Sequence, residues 1–177
     1  MLALVFDTET TGLVKHPRAK DEVQPRIIEW GGVLYDSAAK AVVREHHVIV
    51  NPKQPLEEII TKITGLTDAD LADQPEFREV LGPLREMFAA ADALVAHNLP
   101  FDHTMMALEL VRCCERDWPW PRHNVCTVQE HAEEWGRRPK LLELYQHYTG
   151  EPLAQTHRAL EDVMALVKVC ELSGVLE

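Results

Sequence analysis

No stretch of this sequence approaches the ~18 uncharged apolar residues that a membrane-spanning helix requires. The apolar run that opens MLALVFDTETTG stops after Phe6, and it lacks the basic start and cleavage site of a secretory leader. A cytoplasmic protein is the simplest expectation. Cysteine is scarce and unpatterned: Cys113, Cys114, Cys126 and Cys170 form no CxxC pair, which argues against structural zinc and a disulfide framework. Adjacent Cys113 and Cys114, in an apolar helical stretch, read as small core residues. Basic residues are in deficit, with 18 Lys and Arg against 29 Asp and Glu and a formal charge of −11. That balance argues against tight, salt-resistant binding of long duplexes, because phosphate neutralisation supplies the affinity of most sequence-independent binders. Repeats, low-complexity tracts and linkers are also missing, so a single domain over 1–177 is expected.

What is present is the pattern of an α/β domain. Leu2 to Phe6 is a continuous apolar run, as in a strand buried on both faces. Arg26 to Tyr35 and Val42 to Val50 flank Asp36 and Ser37 and suggest a hairpin, and Ala93 to His97 is a short apolar strand. Helices are expected through Phe77 to Phe88, with Pro83 kinking or restarting it, and from about Asp102 to Cys114. Thr127 and Glu130 form a capping-box pair opening another helix, and Lys140 to Tyr148 is stopped by Gly150 and Pro152. In the last helix Leu160, Val163, Met164 and Val167 form the expected core stripe, from which Asp162 points away.

Several acids stand where chemistry is possible. Asp7 and Glu9, at i and i+2, project to the same side if the first strand continues through them. Two adjacent carboxylates repel unless a cation neutralises them, and hard oxygen ligands select Mg²⁺ or Mn²⁺. Taken alone, the pair reads more readily as solvated acids at a strand end and decides nothing. Asp102 follows His97 and Asn98 at the C-terminal edge of a strand, where α/β proteins place ligands, but a lone Asp there is commonly a helix cap. His157 and Asp162 alone would be polar surface residues.

The order of the motifs changes that reading. FDTETTGL at Phe6 to Leu13, AHNLPFD at Ala96 to Asp102 and HRALEDV at His157 to Val163 together resemble the DEDDh exonucleases, the family of the proofreading subunit of bacterial DNA polymerase III. The resemblance covers nearly the whole chain, including ITGLTDADL (Ile63 to Leu71) and LLELYQHYTG (Leu141 to Gly150). It implies a ribonuclease-H-like fold with a five-stranded mixed sheet flanked by helices. It also implies two divalent cations, with Asp7 bridging both, Glu9 and Asp162 completing one site, and Asp102 acting at the other, largely through water. His157 would be the general base. The tyrosine branch of the family places its base four residues before the last Asp, where this chain has Arg158, so the histidine branch is expected. Thr10, Thr11, Gly12 and Leu13 would line the 3′-terminal nucleotide, Leu66 would wedge against its base, and His97 and Asn98 would lie near the scissile phosphate. Leu66 read by itself is as well explained as a buried loop leucine. Glu29 and the remaining histidines are left as structural or solvated. Leu99 and Pro100 depart from the small or polar residues of many relatives, and Pro100 would stiffen the loop presenting Asp102. The last helix is expected to end near Leu176, leaving no counterpart of the segment by which the proofreading subunit docks on its polymerase.

The chemistry explains these residue types. Phosphodiester hydrolysis needs a water nucleophile, a base, and stabilisation of charge on the attacking and leaving oxygens, which two cations about 4 Å apart provide. Two bound cations also offset the acidic balance by about four charges, while basic residues gather at Lys15 to Lys20 and at Arg137, Arg138 and Lys140. The expected partners are nucleic-acid 3′ ends, single-stranded DNA before RNA, in proofreading or repair, with a polymerase or other replication protein possible and no membrane. An exoribonuclease of the same family is the alternative. A catalytically inactive binding module would have lost a ligand, yet all five positions are present. An aspartyl-phosphate phosphatase needs an Asp where Glu9 stands, together with a later Lys, and the chain shows neither pattern clearly.

Overall fold

The computed structural model describes residues 1–16, 18–154 and 157–176. Strand β1 (Leu2–Thr10) pairs antiparallel with β2 (Ile27–Asp36), which pairs antiparallel with β3 (Ala41–Ile49) across the turn that begins at Asp36 and Ser37. Short helices α1 (Glu58–Thr64) and α2 (Asp68–Ala72) precede α3 (Phe77–Ala90). Then come β4 (Ala93–Ala96), α4 (Leu99–Arg112), β5 (His123–Cys126), α5 (Thr127–Trp135), α6 (Leu141–Thr149) and α7 (Ala159–Ser173). The sheet order is β3-β2-β1-β4-β5, with β1, β4 and β5 parallel. This is the expected five-stranded mixed sheet with flanking helices. Among the described residues no helix is long and apolar enough to cross a membrane.

The period-two alternation of β1 assigns its side chains to two cores. Leu4 and Phe6 face α3 and α4 and pack with Trp30, Leu84, Phe88 and Met105. Ala3 and Val5 face α6 and α7 and pack with Val33, Leu144, Val163 and Leu166. Continued past Phe6, the same alternation sends Asp7 and Glu9 towards α7 and Thr8 towards α4. The strand does continue: its pairing with β2 runs to Thr10, with a register shift between Glu9 and Thr10.

Four local expectations are corrected. Pro83 does not break α3, which is one helix; Pro83 lies on its exposed side, while Val80, Leu81, Leu84 and Met87 hold both halves on the core. Helix α4 begins at Leu99, three residues early, capped by Asn98 in the left-handed region, and Pro100 occupies the first turn, where a missing N–H leaves no bond unmade. Thr127 and Glu130 form no capping box; Cys126 is the cap, and the Thr127 hydroxyl is turned to His97 instead. Cys113 is buried, as are Cys126 and Cys170, but Cys114 is exposed, at the end of α4.

Candidate active site

Three elements converge at the C-terminal end of β1. The first is β1 itself, which carries Asp7 and Glu9, both half-buried, on its α7 side. The second is the first turn of α4, which carries Asp102. One oxygen of Asp102 accepts the Thr8 backbone N–H at 3.1 Å and the Thr8 hydroxyl at 2.7 Å, fixing α4 to the strand between the two acids. The third is the start of α7. Its buried stripe is Ala159, Asp162, Val163, Leu166 and Cys170, whereas Met164 is 45% exposed. Asp162 therefore lies on the core-facing side, contrary to the helical-wheel expectation, and its amide donates to the Arg158 carbonyl at 3.1 Å. Ligand atoms of Glu9, His157 and Asp162 all lie within 4.8 Å of one another. His157 sits just before α7 with φ 51°, in the left-handed region.

Crowding of these acids shifts their proton affinities. Burial, reinforced by Asp102, Glu9 and Asp162, pushes the Asp7 carboxyl well above the usual range. Burial, and then Asp162, raises Glu9 to about 8. Burial raises Asp102 to about 7 even though both Thr8 hydrogen bonds favour its charged form. A cluster of hard oxygen donors whose own fields oppose ionisation is the environment a divalent cation relieves.

Beside the acids opens a cleft of about 850 Å³. Thr10, Thr11, Gly12 and Leu13 line it, together with Lys15. A Cβ on Gly12 would meet no protein atom within 4 Å, so the backbone there faces open space. The Thr11 hydroxyl accepts from the Arg26 amide and from Gln54, holding this loop to the start of β2. Ile59, Ile63 and Phe101 add apolar lining to the cleft. Leu66 is not part of it: it is 4% exposed and packs with Ile28 and Leu71 beneath α1 and α2. The sequence does not single out Ile59 and Ile63, because isoleucines at i and i+4 on α1 read as a core stripe and only the structure shows them exposed.

His97 and Asn98 lie between the end of β4 and the start of α4. His97 is half-buried, with Nδ1 3.0 Å from the Thr127 hydroxyl, and burial lowers its pKa to about 4, so it is neutral at physiological pH. Asn98 accepts a hydrogen bond from the Arg138 guanidinium, which brings one of the two basic segments to the edge of the site. A further carboxylate, Glu29, lies directly across the β1–β2 ladder from Glu9 and is 0% exposed. It is held by Arg158 and His47, partners that the sequence alone does not reveal.

Comparison with known proteins agrees with this geometry. The family model described as Exonuclease (RNase_T) matches residues 4–170. The chain is 34% identical over 168 residues to a DNA polymerase III subunit epsilon of Treponema pallidum, covering 93% of this chain and 72% of that protein. It is 39% identical over 169 residues to a PolC-type DNA polymerase III of Caldanaerobacter subterraneus, covering 94% of this chain but only 11% of the polymerase. Among solved structures, the nuclease domain of 3′hExo, a DEDDh family member bound to rAMP, superposes with a TM-score of 0.73 at 16% identity, covering 97% of this chain and 94% of that one. Exonuclease X in complex with 5′-overhanging duplex DNA superposes with a TM-score of 0.65 at 24% identity, covering 97% and 93%. At those identities the two structures establish the fold, while the family model and the epsilon subunit carry the assignment. The chain belongs to the exonuclease family.

Proposed function

We propose that the chain removes nucleotides singly from the 3′ end of mainly single-stranded DNA, releasing 5′-mononucleotides. The carrying observation is the convergence of Asp7 and Glu9 from β1, Asp102 from α4, and His157 and Asp162 from the start of α7 beside one open cleft. Asp7, Glu9, Asp102 and Asp162 would hold two divalent cations, Mg²⁺ or Mn²⁺. Bound there, the cations would lower the pKa of an attacking water and stabilise charge on the attacking and leaving oxygens.

The chain's own residues supply the rest. The His157 imidazole, placed beside Glu9 and Asp162, can take the proton of the attacking water. Thr8 keeps Asp102 aimed at the end of β1 through its two hydrogen bonds. The cleft has the volume to seat one nucleotide, with Ile59, Ile63 and Phe101 offering an apolar wall to a base. Lys15 on the cleft and Arg138 at Asn98 supply cationic contacts for the phosphates on either side, in a chain of net charge −11. The similarity to a DNA polymerase III epsilon subunit supports DNA as the substrate, and with it a role in proofreading beside a polymerase.

The test uses 5′-labelled DNA and RNA oligonucleotides of one sequence, incubated with Mg²⁺ and resolved as ladders. The expected result is stepwise shortening from the 3′ end, faster on DNA, abolished by a 3′-terminal block or by a chelator. Faster shortening of the RNA would transfer the assignment to an exoribonuclease. Cleavage of a circular single strand would overturn the exonuclease reading.

A further inference from the structure

Glu29 is a fully buried carboxylate in the strand next to the site, and α7 begins with an arginine clamped to it. Arg158 Nε lies 3.0 Å from both Glu29 oxygens, and Arg158 Nη2 lies 3.0 Å from Oε1. His47 Nε2 reaches the same oxygen from β3 at 2.6 Å. Glu29 is the cross-strand partner of Glu9, so the alternation that turns Glu9 towards α7 turns Glu29 the same way.

Stability alone is a poor account of this triad. Burying the Glu29 carboxylate carries a desolvation penalty that its attraction to the partly exposed Arg158 guanidinium offsets at best, and well-packed apolar residues commonly do as well or better. What a bidentate grip on a buried carboxylate supplies is a fixed position for the backbone that bears the arginine. That backbone is Arg158, the residue after His157 and the N-cap of α7. His157 itself is held at φ 51°, a conformation that a non-glycine residue keeps only when its surroundings over-determine it. A second contact fixes the same turn. A Cβ on Gly31 would lie 2.6 Å from the Leu160 amide nitrogen, so β2 touches the α7 backbone directly.

We infer that Glu29 is a positioning residue for His157. Gripped by Arg158 and steadied by His47, it locks the entry into α7 in the backbone conformation that presents the imidazole to Glu9 and Asp162. The inference rests on the proposed reading of His157 as the base. Glu29 and Arg158 touch no substrate in this account; they act through the imidazole.

The experiment is a double-mutant cycle on the full chain with a labelled DNA oligonucleotide and Mg²⁺. Single-turnover conditions keep the slow His157→Ala background measurable. Glu29→Gln is nearly isosteric, and Arg158→Gln removes the same clamp from a more exposed position. In the presence of His157, each variant is expected to lower the rate at saturating substrate roughly 10- to 100-fold, the scale of a misplaced catalytic group, with KM and the Mg²⁺ concentration dependence unchanged. The Glu29→Gln/Arg158→Gln double variant should be no slower than either single one. Arg158→Lys, which keeps the charge but loses the fork, should recover only part of the rate. In the His157→Ala background, already slower by roughly 10²–10⁴, Glu29→Gln should cost less than about a further twofold. An equal loss in both backgrounds, a raised Mg²⁺ requirement, or wild-type rates in Glu29→Gln and Arg158→Gln would each overturn the positioning role. Wild-type turnover in His157→Ala would instead overturn the reading of His157 as the base.

Discussion

Thr8 donates both its amide and its hydroxyl to a single oxygen of Asp102. Its neighbours Asp7 and Glu9 face α7 and it faces α4, so one residue of the D-T-E motif ties the second acidic element to the first. Both bonds favour the ionised carboxylate, yet burial still raises Asp102 to about 7. Thr8→Val removes the hydroxyl at nearly constant volume. A hydrogen bond to a charged group contributes about 1.5–3 kcal/mol, so Asp102 should hold its proton to higher pH. The expected outcome is a roughly tenfold weaker apparent Mg²⁺ affinity at neutral pH, recovered as pH rises. Calorimetric titration of Mg²⁺ at several pH values checks it; an unchanged affinity across the series would show that Asp102 does not take part in cation binding.

The acid cluster also sets a stability profile of unusual sign. Glu9 keeps its proton to about 8 and Asp102 to about 7 when folded, and Asp7 is raised as well, whereas unfolded carboxylates ionise near the ordinary range. The folded chain binds more protons than the unfolded one between those limits, so its cation-free stability contribution is present below the ordinary range and is lost as pH rises through about 8. The melting temperature in chelator should therefore fall with pH across this window by more in the wild type than in Asp7→Asn. Mg²⁺ should restore the wild type and act weakly on the variant, which should also lose nearly all hydrolysis. Parallel melting profiles for the two proteins would contradict the assignment.

Gly31 faces the backbone of α7 with no space for a Cβ. Gly31→Ala must push the first turn of α7 outward, and that turn carries Asp162. Overpacking of this kind is worth about 1–3 kcal/mol, so the melting temperature should drop. Turnover should fall further than the loss of folded protein explains, because the Asp162 carboxylate is displaced with the turn. A variant that melts lower but keeps full specific activity would separate the packing contact from the site.

The sequence disclosed this site unevenly, and for physical reasons. Asp7 and Glu9 were readable because side-chain alternation needs only the strand to continue, which its pairing with β2 ensures to Thr10. A helical wheel misplaces Asp162 because it weighs hydrophobicity and puts Met164 in the core, whereas here a carboxylate occupies the buried side and Met164 is exposed. Asp102 reads as a cap from local rules, and only the tertiary bond to Thr8 shows what it faces. Thr127 satisfied a local capping pattern but bonds His97, 30 residues away, which no window reveals. Glu29 stood in plain view as the charged residue of IIEWGG, a strand otherwise buried along nearly its whole length. Such a charge demands a buried partner, but the partner lies 129 residues on, at Arg158.

The strand carrying Asp7 and Glu9 is the middle one of the sheet, bonded to β2 along one edge and to β4 only through Ala3, Leu4 and Val5 on the other. In hydrogen-exchange terms, interior strands of this kind open only when the whole domain does, whereas loops and edges fray at little free energy. The acids lie beyond that doubly bonded stretch, so their electrostatic tension falls on the half of β1 that keeps one bonded neighbour. Protons or cations relieve it there, and the amides of the Ala3 to Val5 stretch should be among the slowest to exchange in the molecule.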